Sequence, residues 1–229
     1  MIKQYDVIVF DVDDTLMDFD QSEQAAFSSV FGKYEMPDGL NQYRSSYRTI
    51  SEGLWRDLEN GNLGLSELGS ERFRRLFLEH ELDLDAVVFN QDYLGFLGEQ
   101  RHLIPGAEKV IESLSHKRLA IITNGFKAVQ TSRIRNSPFS DAFEQVIISE
   151  ATGYRKPQKE IFEYAFRQLQ VTDPSTVLMV GDSLTSDIQG GLNAGVDTCW
   201  FNPGGKENKT SIQPTYEISR LEALLEIVI

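Results

Sequence analysis

The chain has 229 residues, enough to bury a substantial core as one domain or as one domain carrying an insertion. Its formal net charge of −13, with no compensating Lys/Arg block, disfavours duplex nucleic acid and anionic membrane surfaces. A single cysteine, Cys199, excludes an intrachain disulfide and a cysteine-based zinc site.

The N-terminal stretch MIKQYDVIVF is too short in apolar residues for a signal peptide and reads instead as the first core strand. No later apolar run approaches the ~20 residues needed to span a bilayer, so the sequence predicts a cytoplasmic protein with no membrane partner. Directly after Val7-Ile8-Val9 comes FDVDDTLMD, which crowds Asp11, Asp13, Asp14 and Asp18 into nine positions. Like charges at the end of a buried strand repel, and something in the site has to offset them.

Residues 19–95 contain no convincing strand. Leu40, Tyr43, Tyr47, Ile50 and Leu54 recur at helical spacing, with Asn60-Gly61 placed to end that helix. Phe73, Leu76 and Phe77 form a second helical face, and Phe89, Tyr93, Phe96 and Leu97 a third. The segment is expected to be a small helical bundle inserted after the first strand, its aromatics mostly core.

From about residue 104 the texture changes to short β-branched runs alternating with helical periods. RLAIIT, QVIIS, TVLMVG and DTCWF join YDVIVF as strands buried on both faces. Ala107, Val110, Ile111 and Leu114 share a helix face, with Pro105 suited to its first turn. Ile161, Ala165 and Leu169 share another after Pro157, and Leu184, Ile188 and Leu192 a third before Gly195. GGKENKTS at 204–211 reads as a surface loop. This alternation predicts an α/β fold, a doubly wound Rossmann-like parallel sheet with an inserted α-helical domain.

Ligands of open α/β sheets bind beyond the carboxyl ends of the strands. Those ends carry Asp11 and Asp13, then Thr123-Asn124-Gly125, then Gly181-Asp182 with Asp187 shortly after; the turn after the third strand adds Arg155-Lys156. Acids and a lysine converging on one edge make a site for a cation and an anion together. Oxygen donors without His or Cys suit Mg²⁺. An EF-hand is excluded because Leu16 stands where that loop needs glycine.

FDVDDT, ITNG, Lys156-Pro157 in YRKPQKEIF, and GDSLTSD match in order the four motifs of the haloacid dehalogenase-like phosphatase superfamily, which the chain resembles over its whole core. VIISEATGYRKP, VLMVGDSLTSDI and NAGVDTCWFNP are similar to its bacterial pyrimidine 5′-nucleotidase branch. The resemblance implies a core of residues 1–18 and 96–229 with an α-helical cap at 19–95. It implies Asp11 as nucleophile, Asp13 as general acid and base, and Mg²⁺ (or Mn²⁺ in its place) held by the Asp11 carboxylate, the Asp13 carbonyl and Asp182. Asp187 would support the metal or Lys156; Thr123, Asn124 and Lys156 would bind phosphate. The implied substrate is a small phosphomonoester, foremost a pyrimidine nucleoside 5′-monophosphate, with sugar phosphates as the alternative and no nucleic-acid polymer as partner. The chain is expected as a monomer or a homodimer. A haloacid dehalogenase needs neither Asp13 nor Asp182, and a phospho-accepting receiver needs no large insert after its first strand.

Overall fold

The computed structural model describes residues 4–36 and 39–228. The expected segments 1–18, 19–95 and 96–229 are therefore followed except at 1–3, 37–38 and 229, which lie outside the described residues. Strand β1 is Val7–Phe10. Four helices follow, α1 (Phe19–Lys33), α2 (Leu40–Glu59), α3 (Leu65–Glu79) and α4 (Ala86–Gly98). The chain then runs α5 (Ala107–Ser113), β2 (Arg118–Thr123), α6 (Lys127–Arg135), β3 (Gln145–Ile148) and α7 (Ser149–Thr152). It closes with α8 (Lys159–Leu169), β4 (Val177–Gly181), α9 (Gln189–Ala194), β5 (Asp197–Phe201), β6 (Tyr216–Ile218) and α10 (Leu225–Val228).

The six strands form one sheet in the order β3-β2-β1-β4-β5-β6, every neighbour pair parallel. Side chains alternate across a strand, and the runs are apolar on both sides. Ile8, Phe10, Leu119, Ile121, Leu178 and Val180 pack against α5, α10 and the end of α6. Val7, Val9, Ala120, Ile122, Val177 and Met179 pack against Ile161, Phe162, Ala165 and Leu169 of α8. Both faces being covered explains why the strands read as unbroken apolar runs.

The register aligns Phe10 with Ile121 on one side and Val180 on the other. Chain order turns outward from β1 in both directions, so the crevice where it reverses lies at the ends of β1, β2 and β4. Asp11, Thr123 and Asp182 arrive there together.

Helices α1–α4 build a separate apolar cluster from Phe27, Phe31, Tyr47, Phe73, Phe77, Phe89 and Tyr93, to which α6 adds Val129. Tyr47 and Leu54 are buried as the spacing predicts, and α2 ends at Asn60 with Gly61 at φ +79°. Inside this cluster Arg72 is buried, donating to the Tyr47 hydroxyl at 3.1 Å, to Asn90 Oδ1 at 2.9 Å and to the Gly69 carbonyl at 3.2 Å.

Two local readings are corrected and one strand is added. Pro105 lies ahead of Gly106, the residue that caps α5, and so is outside its first turn. Leu192 is exposed, because Leu184–Ile188 forms a π-helical turn whose extra residue rotates the following helix. The inward face of α9 is then made by Gly190 and Gly191; a Cβ on the latter would stand 2.6 Å from Thr198 Cγ2. Strand β6 was not foreseen, since three residues after Pro214 give too short an alternation to register.

Candidate active site

Asp11 follows β1, and its N–H bonds the Val180 carbonyl at 2.9 Å, which continues the ladder by one residue and fixes the carboxylate at the sheet edge. The chain then folds into a tight turn: Leu16 N and Met17 N both donate to the Val12 carbonyl, at 2.9 and 2.8 Å. Asp14 sits in that turn at φ +56°, a conformation aspartate tolerates better than most residues. Its side chain accepts the Phe19 N–H at 2.9 Å, tying the turn to the start of α1.

Lys156, 1% exposed, donates from Nζ to Asp11 Oδ1 at 2.5 Å, to the Ile122 carbonyl at 2.7 Å, and pairs with Asp187 Oδ1 at 2.7 Å. Asn124 holds the lysine's own backbone from both sides. Its Oδ1 accepts from Lys156 N at 2.9 Å and its Nδ2 donates to Lys156 O at 3.0 Å. Asp187 in turn accepts from Ser183 N at 3.0 Å. Gly181 is glycine for a steric reason: a Cβ there would lie 2.2 Å from Asp187 Oδ2.

Oxygens of Asp11, Asp182 and Asp187 lie within 4.8 Å of one another. Burial raises Asp11 to about 8; Lys156 pulls it down, and Asp187 and Asp13 push it up. Asp182 is also held well above the ordinary carboxylate range, by burial first and then by Asp187, Asp11 and Asp14. Burial pulls Lys156 down, but Asp11 and Asp187 outweigh it and keep the ammonium above its usual value. Three carboxylates against one ammonium leave excess negative charge in a desolvated place. An all-oxygen donor set of this charge fits a hard divalent ion, and Mg²⁺ in particular.

Asp13 is placed differently from its neighbours. Its Oδ2 accepts from Gln130 Nε2 at 2.8 Å, and its Oδ1 is paired with Nη1 of Arg133, both on α6. Its carboxylate is thus held by two donors of α6 while it lines the same cavity as the three-acid cluster. Thr123 is 1% exposed, and its hydroxyl accepts from the same Gln130 amide at 3.0 Å. Every residue singled out by sequence is therefore in one neighbourhood, with Asn124 engaged on Lys156 and Thr123 on Gln130.

The cluster opens into a cavity of about 440 Å³ lined by Asp11, Asp13, Lys156, Asp182 and Asp187 from the sheet edge. Phe19, Glu52, Trp55, Glu59 and Arg72 line it from the inserted helices, and Phe126, Gln130 and Arg133 from α6 and its approach. Of the insert's aromatics, Phe19 and Trp55 reach this cavity, whereas Tyr47 is packed in the insert's core. Sequence reading passed over Gln130 and Arg133. The available signal was their i, i+3 spacing in the helix that starts just past Asn124-Gly125, which turns one side of its first two turns to the strand ends.

A parallel α/β sheet with paired acids, a buried lysine and an oxygen-only cation site at its strand ends defines an enzyme acting on an anionic group. A model of the haloacid dehalogenase-like hydrolase family matches residues 5–195. The chain is 40% identical over 228 residues to the HAD-hydrolase YfnB of Bacillus subtilis, covering 99% of this chain and 97% of that protein. The magnesium-bound structure of YfnB, described as revealing interdomain movement, matches with a TM-score of 0.93 over 99% of each chain. Pyrimidine 5′-nucleotidase PynA of Streptococcus pneumoniae is 38% identical over 97% of this chain and 94% of its own length. Pyrimidine 5′-nucleotidase YjjG of Escherichia coli is 34% identical over 98% of both. The chain belongs to the haloacid dehalogenase-like hydrolase family and is an enzyme of its phosphatase type. Among the described residues no helix is long and apolar enough to cross a membrane.

Proposed function

We propose that the chain is a Mg²⁺-dependent 5′-nucleotidase that hydrolyses pyrimidine nucleoside 5′-monophosphates through an aspartyl-phosphate on Asp11. The observation that carries this reading is the Asp11–Lys156–Asp187 cluster with Asp182, opening on a cavity walled by Trp55, Phe19 and Phe126. Such a site receives a phosphate at one end and a flat apolar body at the other. The likeness to two pyrimidine 5′-nucleotidases along nearly their whole lengths supports the same substrate class.

An Asp11 oxygen attacks phosphorus as the bond from phosphorus to the nucleoside 5′-oxygen breaks, and Asp13 gives that oxygen its proton. In the second step Asp13 takes a proton from the water that attacks phosphorus, and the phosphorus–Asp11 bond breaks to release inorganic phosphate. Lys156 neutralises phosphate oxygens and holds Asp11 in line, with Thr123 and Asn124 completing the phosphate end. Mg²⁺, held by Asp11, Asp182 and Asp187 with the Asp13 carbonyl, would keep the carboxylates ionised at neutral pH and neutralise charge on the transferring group; Mn²⁺ is expected to substitute.

Residues 19–95 are assigned as a cap over the core of 1–18 and 96–229, closing on bound substrate and excluding water. A lid of this kind admits mononucleotides and rejects polymers. The lone buried Cys199 agrees with a cytoplasmic location. The test is a phosphatase screen with Mg²⁺ over nucleotides and sugar phosphates. UMP and dTMP are expected to lead in kcat/KM; sugar phosphates surpassing every nucleotide would overturn the substrate assignment.

A further inference from the structure

Asp13 is the general acid and base in the reading above, and the structure gives each of its carboxylate oxygens one donor on α6. Gln130 Nε2 reaches Oδ2, and Arg133 Nη1 reaches Oδ1. The two donors are themselves linked, Arg133 Nη1 donating to Gln130 Oε1 at 3.1 Å. We infer that Arg133 and Gln130 are positioning residues that fix the Asp13 carboxyl at the leaving-group oxygen. The inference rests on that reading of Asp13 and adds to it how the carboxyl is aimed.

Three observations carry it. First, Asp13 lies outside β1 in a turn, where no ladder hydrogen bond constrains its side chain, so its direction is set by what it binds. Second, Arg133 is poorly explained as a stabilising residue. It is 1% exposed, yet its Nε and Nη2 have no hydrogen-bond partner, and its guanidinium lies 5.9 Å over the Phe19 ring. Burying a cation with two nitrogens unpaired costs stability, which its single carboxylate partner, Asp13, offsets only in part. Third, the Gln130 amide is shared between Asp13 and Thr123, so the residue assigned to the phosphate end touches the same anchor as the acid. Oδ2 is held by a neutral amide and Oδ1 by a cation, so Oδ2 is the oxygen more readily released to the substrate while Arg133 retains Oδ1.

The chemistry provides a selective readout. A nucleoside 5′-alkoxide departs only with a proton, whereas p-nitrophenolate departs without one. The value of kcat/KM covers the steps up to departure of the leaving group, so the ratio of kcat/KM for UMP to that for p-nitrophenyl phosphate reports on the acid alone. If the parent prefers another alkyl phosphomonoester, that compound replaces UMP. Asp13→Asn sets the scale with an expected selective loss of about 10²-fold or more on the alkyl substrate. A loss that is equal on both substrates would remove Asp13 from the acid's role, and with it the reading beneath this inference.

With Asp13→Asn selective, Arg133→Met is expected to lose at least about fivefold more on UMP than on p-nitrophenyl phosphate, part of the acid's ~10²–10⁴-fold contribution. Arg133→Lys, which returns a cation to Oδ1, should recover part of that ratio. A smaller selectivity in Arg133→Met, whether from equal losses or from none, overturns the positioning role while leaving Asp13 as the acid. Should Arg133→Met fail to give folded protein by thermal unfolding, Gln130→Met carries the same comparison against the same threshold and with the same two outcomes.

Discussion

Replacing Asp11 with Asn should stabilise the metal-free protein, and more so as pH rises. Three carboxylates gather around one ammonium here, and burial lifts Asp11 from 3.8 to about 8 despite Lys156 at 2.5 Å. A carboxyl whose folded-state pKa exceeds its unfolded value carries an extra proton in the folded state between the two. Stability is therefore highest at the acid end of that window and is lost as pH climbs from about 4 to about 8. The full interval corresponds to about 6 kcal/mol at ~1.36 kcal/mol per pKa unit. Lys156 re-pairing with Asp187 and water entering the cavity would absorb more than half, leaving about 2–3 kcal/mol above pH 8. Asn has no proton to lose and escapes this penalty. For a chain of this size that is a rise in Tm of about 5–10 °C at pH 9, shrinking to within about 2 °C at pH 5. Calorimetric melting in excess EDTA at pH 5, 7 and 9 measures it. An offset independent of pH, or a destabilised variant at pH 9, would refute the view that Asp11 is held against its charge.

Activity should vanish in excess EDTA and return with Mg²⁺ or Mn²⁺; turnover undiminished after chelation and dialysis would remove the metal from the site. Trp55→Ala should raise KM for UMP about three- to tenfold, the worth of one aromatic stack, with kcat little changed; an unaltered KM would mean that the base lies elsewhere. Gly181→Ala should lower kcat about 10²-fold, since its Cβ would meet Asp187 Oδ2 at 2.2 Å and displace it from Lys156; parental kcat would show that Asp187 has no part in placing the lysine.

The fold was readable because parallel strands covered on both faces leave an unmistakable mark: Val7-Ile8-Val9 and Leu178-Met179-Val180 are apolar without alternation. Strand ends are where such sheets bind ligands, so Asp11, Asp182 and Lys156 could be grouped before any coordinates. What escaped depended on a single inserted residue or on side-chain direction. The π-helical turn at Leu184–Ile188 changes no residue type, yet it sends Leu192 to solvent and turns two glycines inward. Gln130 and Arg133 look like any polar residues on a short helix; only the fold shows that α6 turns them toward Asp13. Tyr47 and Trp55 are both aromatic positions of α2, and which of them faced core or cavity was decided by how α2 packs on α3 and α4. Asn124, expected at the phosphate, also grips the Lys156 backbone, through a contact across 32 positions that no local pattern encodes.

The claim that Asp11 carries the phosphoryl group is tested most directly by catching it there. The enzyme with Mg²⁺ and UMP labelled in its phosphate would be quenched in acid during turnover, digested, and its peptides read by mass spectrometry. Label on the peptide containing Phe10 to Asp18, localised to Asp11 and absent from Asp11→Asn, is the predicted result. Turnover of the parent with no labelled peptide, or with label on any other residue, would contradict it.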